Sequence, residues 1–420
     1  MSEEKLVPKL RFNGFDDEWI EVTINDLFDV ITDYVAAGSF GDIKKNVKYL
    51  NHENHAQLIR IVDLKNNFNN KEFIYVDENA FNYLWRVNLN EKGIVLPNRG
   101  NIGDIFFINP DKLPYKNNVL AANALWLKST ENIEFKFYLM NTVNFINKLS
   151  ILVETTGLPQ FNKTNLKKLK VFISNSNTEM NKISNFLLMV DRKIDLLKKK
   201  HENYHHFKKY LMQQIFAQKL RFDKTYEWAT YILNDIGKTY NGLSGLSKDN
   251  FEKGNSKYIT YKSIFDNNIL KSNFTENVEL NNKSQNEVKK GDLFFTGSSE
   301  TPEEVGMVSV LNQNIKDCYL NSFCFGFRLN NEININPLFL AYYLRSPIMR
   351  KKIMILAQGS TRFNLSKKEI LKLNIELPSI SEQQQIIDLF QNIDNKINEI
   401  SLQSDNFNQF KKGLPQQMFV

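Results

Sequence analysis

The 420-residue chain carries one pattern twice. Lys9-Leu10-Arg11-Phe12, followed by Trp19 and Asn25-Asp26, recurs as Lys219-Leu220-Arg221-Phe222, Trp228 and Asn234-Asp235, at an offset of 210 closing to 209. Gly157, Phe161-Asn162 and Leu169-Lys170 recur as Gly359, Phe363-Asn364 and Leu371-Lys372 at an offset of 202, and residues 183–216 recur as 386–419 at 203. A duplication this long implies two similar domains and two similar helices, an approximate two-fold molecule in one polypeptide. Such a molecule suits a target with two halves, and duplex DNA is the commonest.

The helices give the clearest signal. Ile183, Leu187, Val190, Ile194, Leu197, His201, Tyr204, Lys208, Leu211 and Ile215 follow one another at spacings of four and three. Ile386, Phe390, Ile393, Ile397, Ile400, Ser404, Phe407, Lys411, Leu414 and Met418 repeat that register. A sustained 4-3 pattern keeps a narrow apolar stripe turned toward a partner helix, as in a coiled coil. The bland alternative is a helix packed on its own domain; length and matching register favour mutual pairing. Thr178 and Ser381-Glu382 sit where N-caps are wanted, and Pro378 stops any earlier helix. At ~1.5 Å per residue the first helix would span roughly 58 Å.

Before each helix the chain is mixed. Residues 58–64, 73–76, 93–97 and 105–108 in the first half, and 258–261, 292–296, 305–311 and 322–329 in the second, read as short strands between Asn/Gly/Lys-rich turns. One helical stretch per half follows, near 135–149 and 337–356. The expected fold is α+β: two α/β domains (1–176 and 218–377) separated by two long helices (177–217 and 378–420).

Apolar content of 42% and charged content of 24% fit a folded globular protein, and a net charge of +7 favours an acidic partner. Cys318 and Cys324 cannot build a disulfide framework; they read as buried thiols in one strand and fit a reducing cytoplasm. No apolar run suggests a signal peptide or a membrane span. His201-Glu202-Asn203-Tyr204-His205 matches the H-E-x-x-H zinc pattern. It lies beside Lys198-Lys199-Lys200, however, and its repeat, Ser404-Asp405-Asn406-Phe407-Asn408, has no ligands. An exposed helix face is the better reading, and no metal is expected. Phosphate-binding glycine loops and paired catalytic carboxylates are absent, so neither a nucleotide cofactor nor an enzyme acting alone is expected.

DNA contact needs cations for phosphates and Asn, Gln, Arg or Lys for base edges. Asn98, Arg99, Gly100 and Asn101 follow the strand-like run 93–97, and Thr296, Gly297, Ser298 and Ser299 end its counterpart. Arg362, beside Asn364, stands near the place of Gln160 in the first half. Lys167, Lys168 and Lys170, with Lys367, Lys368 and Lys372, could face phosphate or simply solvent.

These residues carry a family resemblance. The Trp19 and Trp228 openings, the stretch 359–367 (Gly359-Ser360-Thr361-Arg362-Phe363-Asn364 onward), the stretch 377–386 (Leu377-Pro378 through Gln383-Gln384-Gln385-Ile386) and the ending Gly413-Leu414-Pro415-Gln416-Gln417-Met418-Phe419 resemble the DNA-specificity subunit of type I restriction–modification systems, over essentially the whole chain. The resemblance implies a noncatalytic, cytoplasmic subunit with two target-recognition domains, each reading half of a bipartite DNA site. Two long antiparallel helices forming a coiled coil would separate them and set the spacer between half-sites. It also implies recruitment of two modification subunits that methylate adenine with S-adenosylmethionine, and of restriction subunits that cleave DNA with ATP-driven translocation. A coiled-coil scaffold without DNA function, or a zinc hydrolase using His201–His205, are the competing classes. The first half departs from the pattern at Leu158-Pro159-Gln160 and at Ser174-Asn175-Ser176-Asn177.

Overall fold

The computed structural model describes residues 6–100, 102–154, 157–280, 284–330 and 333–420. Two compact units are present: the first joins Met1–Leu197 with Gln403–Val420, and the second is the continuous stretch Lys198–Leu402. The fold is α+β in both.

In the first unit a four-stranded antiparallel sheet runs in the order Val30–Asp33, Ala124–Lys128, Gly93–Pro97, Phe106–Ile108. A second sheet sets Ala56–Ile59 between Ile74–Val76 (antiparallel) and Asn118–Leu120 (parallel). The second unit repeats this plan. Gly237–Asn241, Cys324–Leu329, Leu293–Thr296, Val308–Leu311 and Ile269–Leu270 form the larger sheet. Phe251–Ile259 lies between Thr275–Val278 (antiparallel) and Cys318–Leu320 (parallel). Each unit is closed by an antiparallel strand pair, Ile20–Thr23 with Lys170–Ile173 and Ala229–Ile232 with Asn374–Leu377.

Several local expectations change. The run expected at 58–64 is a strand only to Ile59; Arg60 turns the chain into the helix Ile61–Lys65, its N–H donating to Asp63 Oδ2 at 2.9 Å. Likewise the strand expected at 258–261 ends at Ile259, and Thr260 Oγ1 caps the helix Tyr261–Asp266 by accepting from Ser263 N–H. The single helices expected at 135–149 and 337–356 are pairs, Ile133–Met140 with Val143–Ile151 and Pro337–Leu344 with Pro347–Ile355. Thr142 and Ser346 break them as N-caps, and Pro347 suits a first helical position because the N–H it lacks would have no helical partner. Cys318 and Cys324 are buried free thiols, but on two strands rather than one. Burial pushes the Cys318 thiol up to about 12.

The repeat also takes a different register. Phe161 and Leu365 are the equivalent buried residues, 3% and 7% exposed, and Asn162 and Ser366 are the equivalent residues preceding a helix. Ile24 N–H donates to Leu169 O and Leu233 N–H to Leu373 O, both at 2.9 Å. The offset in this stretch is therefore 204, not 202. The repeated Phe-Asn pair at 363–364 is a coincidence: what recurs is an apolar residue for the core and a short polar one before the helix.

The long helices are Asn177–Phe216 and Ile380–Met418. Ser176 and Ser379 cap them, each hydroxyl accepting the N–H of the residue three further on, Glu179 or Glu382, at 3.3 Å. Thr178 and Ser381 are thus not the caps. Both glutamates are buried and bind an arginine from the repeated Lys-Leu-Arg-Phe motif: Arg11 to Glu179 at 2.6 and 2.9 Å, Arg221 to Glu382 at 3.3 and 3.0 Å. Burial opposes ionisation of Glu179, but the Arg11 guanidinium, together with hydrogen bonding by Ser174, outweighs it and holds the carboxyl below the usual range.

The apolar stripe serves two purposes. In the first unit Ile183, Leu187, Val190 and Ile194 share a core with Leu414, Met418 and Phe419 and with the domain's own Trp19, Phe135 and Leu139. In the second, Ile386, Phe390, Ile393 and Ile397 share one with Met212, Ile215 and Phe216 and with Trp228, Phe339 and Tyr342. Leu197 and Ile400 are buried; Tyr204, Leu211 and Phe407 are half-buried. Both readings of the stripe therefore apply at once, pairing and packing on the domain. Within the second unit Lys208 meets Asp394 at 2.5 Å and Phe216 stacks on Phe390, so the helix segments run antiparallel. Lys411 meets Asp191 at 2.5 Å in the first unit, and a tyrosine hydroxyl completes each group at 2.7 Å, Tyr138 on Asp191 and Tyr342 on Asp394.

Candidate nucleic-acid interface

In each unit three chain segments meet beyond one end of the central strand. In the first, Asn98 follows the buried strand Gly93–Pro97; its N–H donates to Asn123 O and its carbonyl accepts from Phe161 N–H, both at 3.1 Å. Arg99 bridges to Gln160, and Gly100 N–H donates to Pro159 O at 2.8 Å. Gly100 and Gly157 take φ of +82° and +97°, a region that suits glycine. In the second unit Gly297 occupies the place of Asn98. Its N–H donates to Phe323 O at 2.8 Å and its carbonyl accepts from Leu365 N–H at 2.9 Å, while Ser298 and Ser299 pair with Asn364 and Phe363. The backbone frame is the same and its side chains differ.

The first frame exposes Arg99, Asn123 and Gln160, with Asn98 half-buried. Asn101 lies outside the described residues. In the second frame Ser298 and Ser299 are buried; Ser299 Oγ donates to Glu304 at 3.0 Å and the Ser298 carbonyl accepts from Tyr261 OH at 2.7 Å. Their neighbours Phe323, Arg362 and Asn364 are the exposed side chains there. The Arg362 guanidinium lies over the Phe323 ring at 5.4 Å. Gly359 permits the tight loop that carries Arg362: its φ is +135°, and a Cβ would run into the Arg362 carbonyl.

The lysines divide. Lys367 lines the same concave surface as Gly297, Ser298, Phe323 and Asn364; its Nζ donates to Asn241 Oδ1 and sits over the Phe325 ring, and burial lowers its pKa. Lys167 and Lys168 occupy the last turn of the helix Lys163–Lys168, half-buried and exposed. Lys170 and Lys372 are paired with Glu21 and Glu369 at 2.5 and 2.7 Å. His201 and His205 touch through their Nε2 atoms at 3.3 Å, and among the described residues no group of three His, Cys, Asp or Glu could hold a metal.

Sequence reading missed Asn123 and Phe323. Each lies in a turn between two strands; reading 322–329 as one strand hid the turn at Phe323, although the dipeptide Asn321-Ser322 marked it. The helix starts were missed by two residues although Ser176 and Ser379 each precede a glutamate by three residues, a helix-start signature; nothing in that spacing pointed to Arg11 and Arg221 as the glutamates' partners.

The chain belongs to the family of type I restriction modification DNA specificity domains, whose model matches it twice, over residues 16–203 and 226–406. One curated relative, a putative type I restriction enzyme MjaX specificity subunit of Methanocaldococcus jannaschii, is 25% identical over 199 residues, an alignment spanning 46% of this chain and 46% of that protein. The fold is similar to the type I restriction-modification S subunit from M. genitalium (TM-score 0.53, 14% identity, 99% of each chain). It is also similar to a chain from a structure of type I restriction-modification complex assembly and conformational transition (TM-score 0.56, 13% identity, 96% of this chain and 97% of that one). Among the described residues no helix is long and apolar enough to cross a membrane.

Proposed function

We propose that this chain is the noncatalytic specificity subunit of a type I restriction–modification complex and binds a bipartite site in double-stranded DNA, one half-site per unit. The observation that carries this reading is the turn frame, built twice with one backbone and two sets of side chains. A shared frame with different exposed groups suits two different base sequences on one kind of duplex. Arg99, Asn98, Asn123 and Gln160 act in the first unit; Arg362, Asn364 and Lys367 act in the second, with Ser298 and Ser299 holding the turn. Lys167 and Lys168 supply sequence-independent phosphate contact. The recognition domains are residues 1–176 and 218–377, and the length of the helices 177–217 and 378–420 fixes the spacer between half-sites.

The partners are two adenine-methylating modification subunits, docked along the long helices, and ATP-dependent restriction subunits, in the cytoplasm. The test is a genome-wide map of methylated adenines with and without the gene. A bipartite motif that vanishes with the gene is expected; an unchanged map would overturn the reading. Inserting four residues, about one turn, into each long helix is expected to change the spacer of that motif, and an unchanged spacer would remove the helices' role in measuring it.

A further inference from the structure

Phe323 is the exposed side chain at the centre of the second frame. It is 56% exposed, and its backbone is fixed on three sides. Its carbonyl accepts from Gly297 N–H at 2.8 Å, its N–H donates to Asn321 Oδ1 at 2.9 Å, and Cys324 N–H closes the turn onto Asn321 O at 3.0 Å. A Cβ on Gly297 would stand 2.8 Å from the Phe323 carbonyl, so glycine keeps the two segments this close. Above the ring lies Arg362, and around it are Tyr261, Phe265 and the turn 298–299. Tyr261 and Phe265 stack on each other at 6.2 Å. A single exposed phenylalanine is ordinary on a protein surface. This one is immobilised and flanked by a guanidinium, in the place where the first unit puts the amide of Asn123.

The two positions have different chemistry for a base pair. An asparagine amide can donate to and accept from adenine; a phenyl ring has no hydrogen-bonding group and discriminates through the apolar C5-methyl of thymine. We propose that Phe323 is a specificity-determining residue of the second unit and contacts a thymine methyl in its half-site. The inference rests on the DNA-recognition reading above. Arg362, stacked on the ring, is the positioning residue that keeps the phenyl group in one orientation.

The test uses the full chain in its native complex and the duplex defined by the mapped methylation motif. Each thymine is replaced in turn by deoxyuracil, which removes only the methyl group. With the wild-type chain, one position in one half-site is expected to weaken binding about fourfold, the worth of one buried methyl. In Phe323→Ala the same replacement is expected to have no effect, and Phe323→Leu, still apolar, is expected to restore part of it. Equal losses in wild type and Phe323→Ala, or no sensitive position, would overturn the assignment and leave the DNA reading standing. A wild-type complex that does not prefer the motif duplex over a scrambled one would sink both.

Discussion

The two units share a skeleton and differ at the surface that would meet DNA, and their shared parts are not equally strong. Each ties its long helix to its opening motif through a buried arginine–glutamate pair. In the second unit Glu382 also accepts from Trp228 Nε1 at 3.2 Å and from Phe222 N–H at 3.2 Å, and Arg221 is 7% exposed against 13% for Arg11. The lesson is that a conserved device can carry different weight in two copies. The largest predicted effect tests this. Glu382→Ala takes the carboxylate from the buried Arg221 guanidinium and from three further donors, the N–H groups of Phe222 and Asp223 and Trp228 Nε1, and is expected to destabilise its unit by about 3–5 kcal/mol. Glu179→Ala is expected to cost less in the first unit. Hydrogen exchange resolved by unit would read both; equal losses would break the ranking.

Acid tests the first of these pairs directly. The Glu179 carboxyl is held below its ordinary value in the folded chain, so the stability it contributes is present above the unfolded carboxylate range. It is lost as pH falls through the folded value. Exchange at the start of the first long helix is therefore expected to rise below about pH 4, and Glu179→Gln is expected to remove that dependence. A wild-type profile that matches Glu179→Gln would show that Arg11 does not hold this carboxylate.

A smaller effect is expected at the surface, but a more specific one. Arg99→Ala and Arg362→Ala leave both frames intact, since their backbones make the pairing. Each is expected to lower discrimination by about 1–3 kcal/mol, at one half-site only. Relaxed preference in the half-site of the altered unit, read by methylation mapping, would sharpen the division of labour. A uniform weakening across both half-sites at fixed salt would instead make these arginines phosphate contacts.

How much of this was legible in the sequence follows from what repeats. The long helices were, because a 4-3 register held over ten positions, its first five all apolar in each copy, has few other uses. The Arg99 and Ser298 turns were found from their glycines and polar neighbours. The frame joining Asn98 to Asn123 and Phe161 was not, because those hydrogen bonds are backbone to backbone and tolerate almost any side chain. The 202 offset failed for a related reason: a core position takes Phe161 or Leu365 with equal ease, so identity pointed at the wrong phenylalanine.

The smallest predicted difference lies in the groups that link the helix segments. Asp191 with Lys411 and Asp394 with Lys208 are equivalent pairs, each with a tyrosine hydroxyl on the aspartate. Lys411 is 42% exposed and Lys208 15%, so water screens the first pair more. Lys208 also stands over the Tyr342 ring at 5.4 Å, an attraction for which Lys411 has no counterpart among the described residues. Lys208→Ala is expected to destabilise its unit by about 1 kcal/mol and Lys411→Ala by less than about 0.5 kcal/mol. The aspartates should follow the same order, but with larger losses, because each also frees a buried tyrosine hydroxyl. Tyr342→Phe removes the tyrosine hydrogen bond and leaves the Coulomb attraction between Lys208 and Asp394. It is therefore expected to cost part of what Asp394→Ala costs, about 1 kcal/mol. No loss in Tyr342→Phe would mean that the hydroxyl contributes nothing to the group, and that charge alone links the helix segments of this unit.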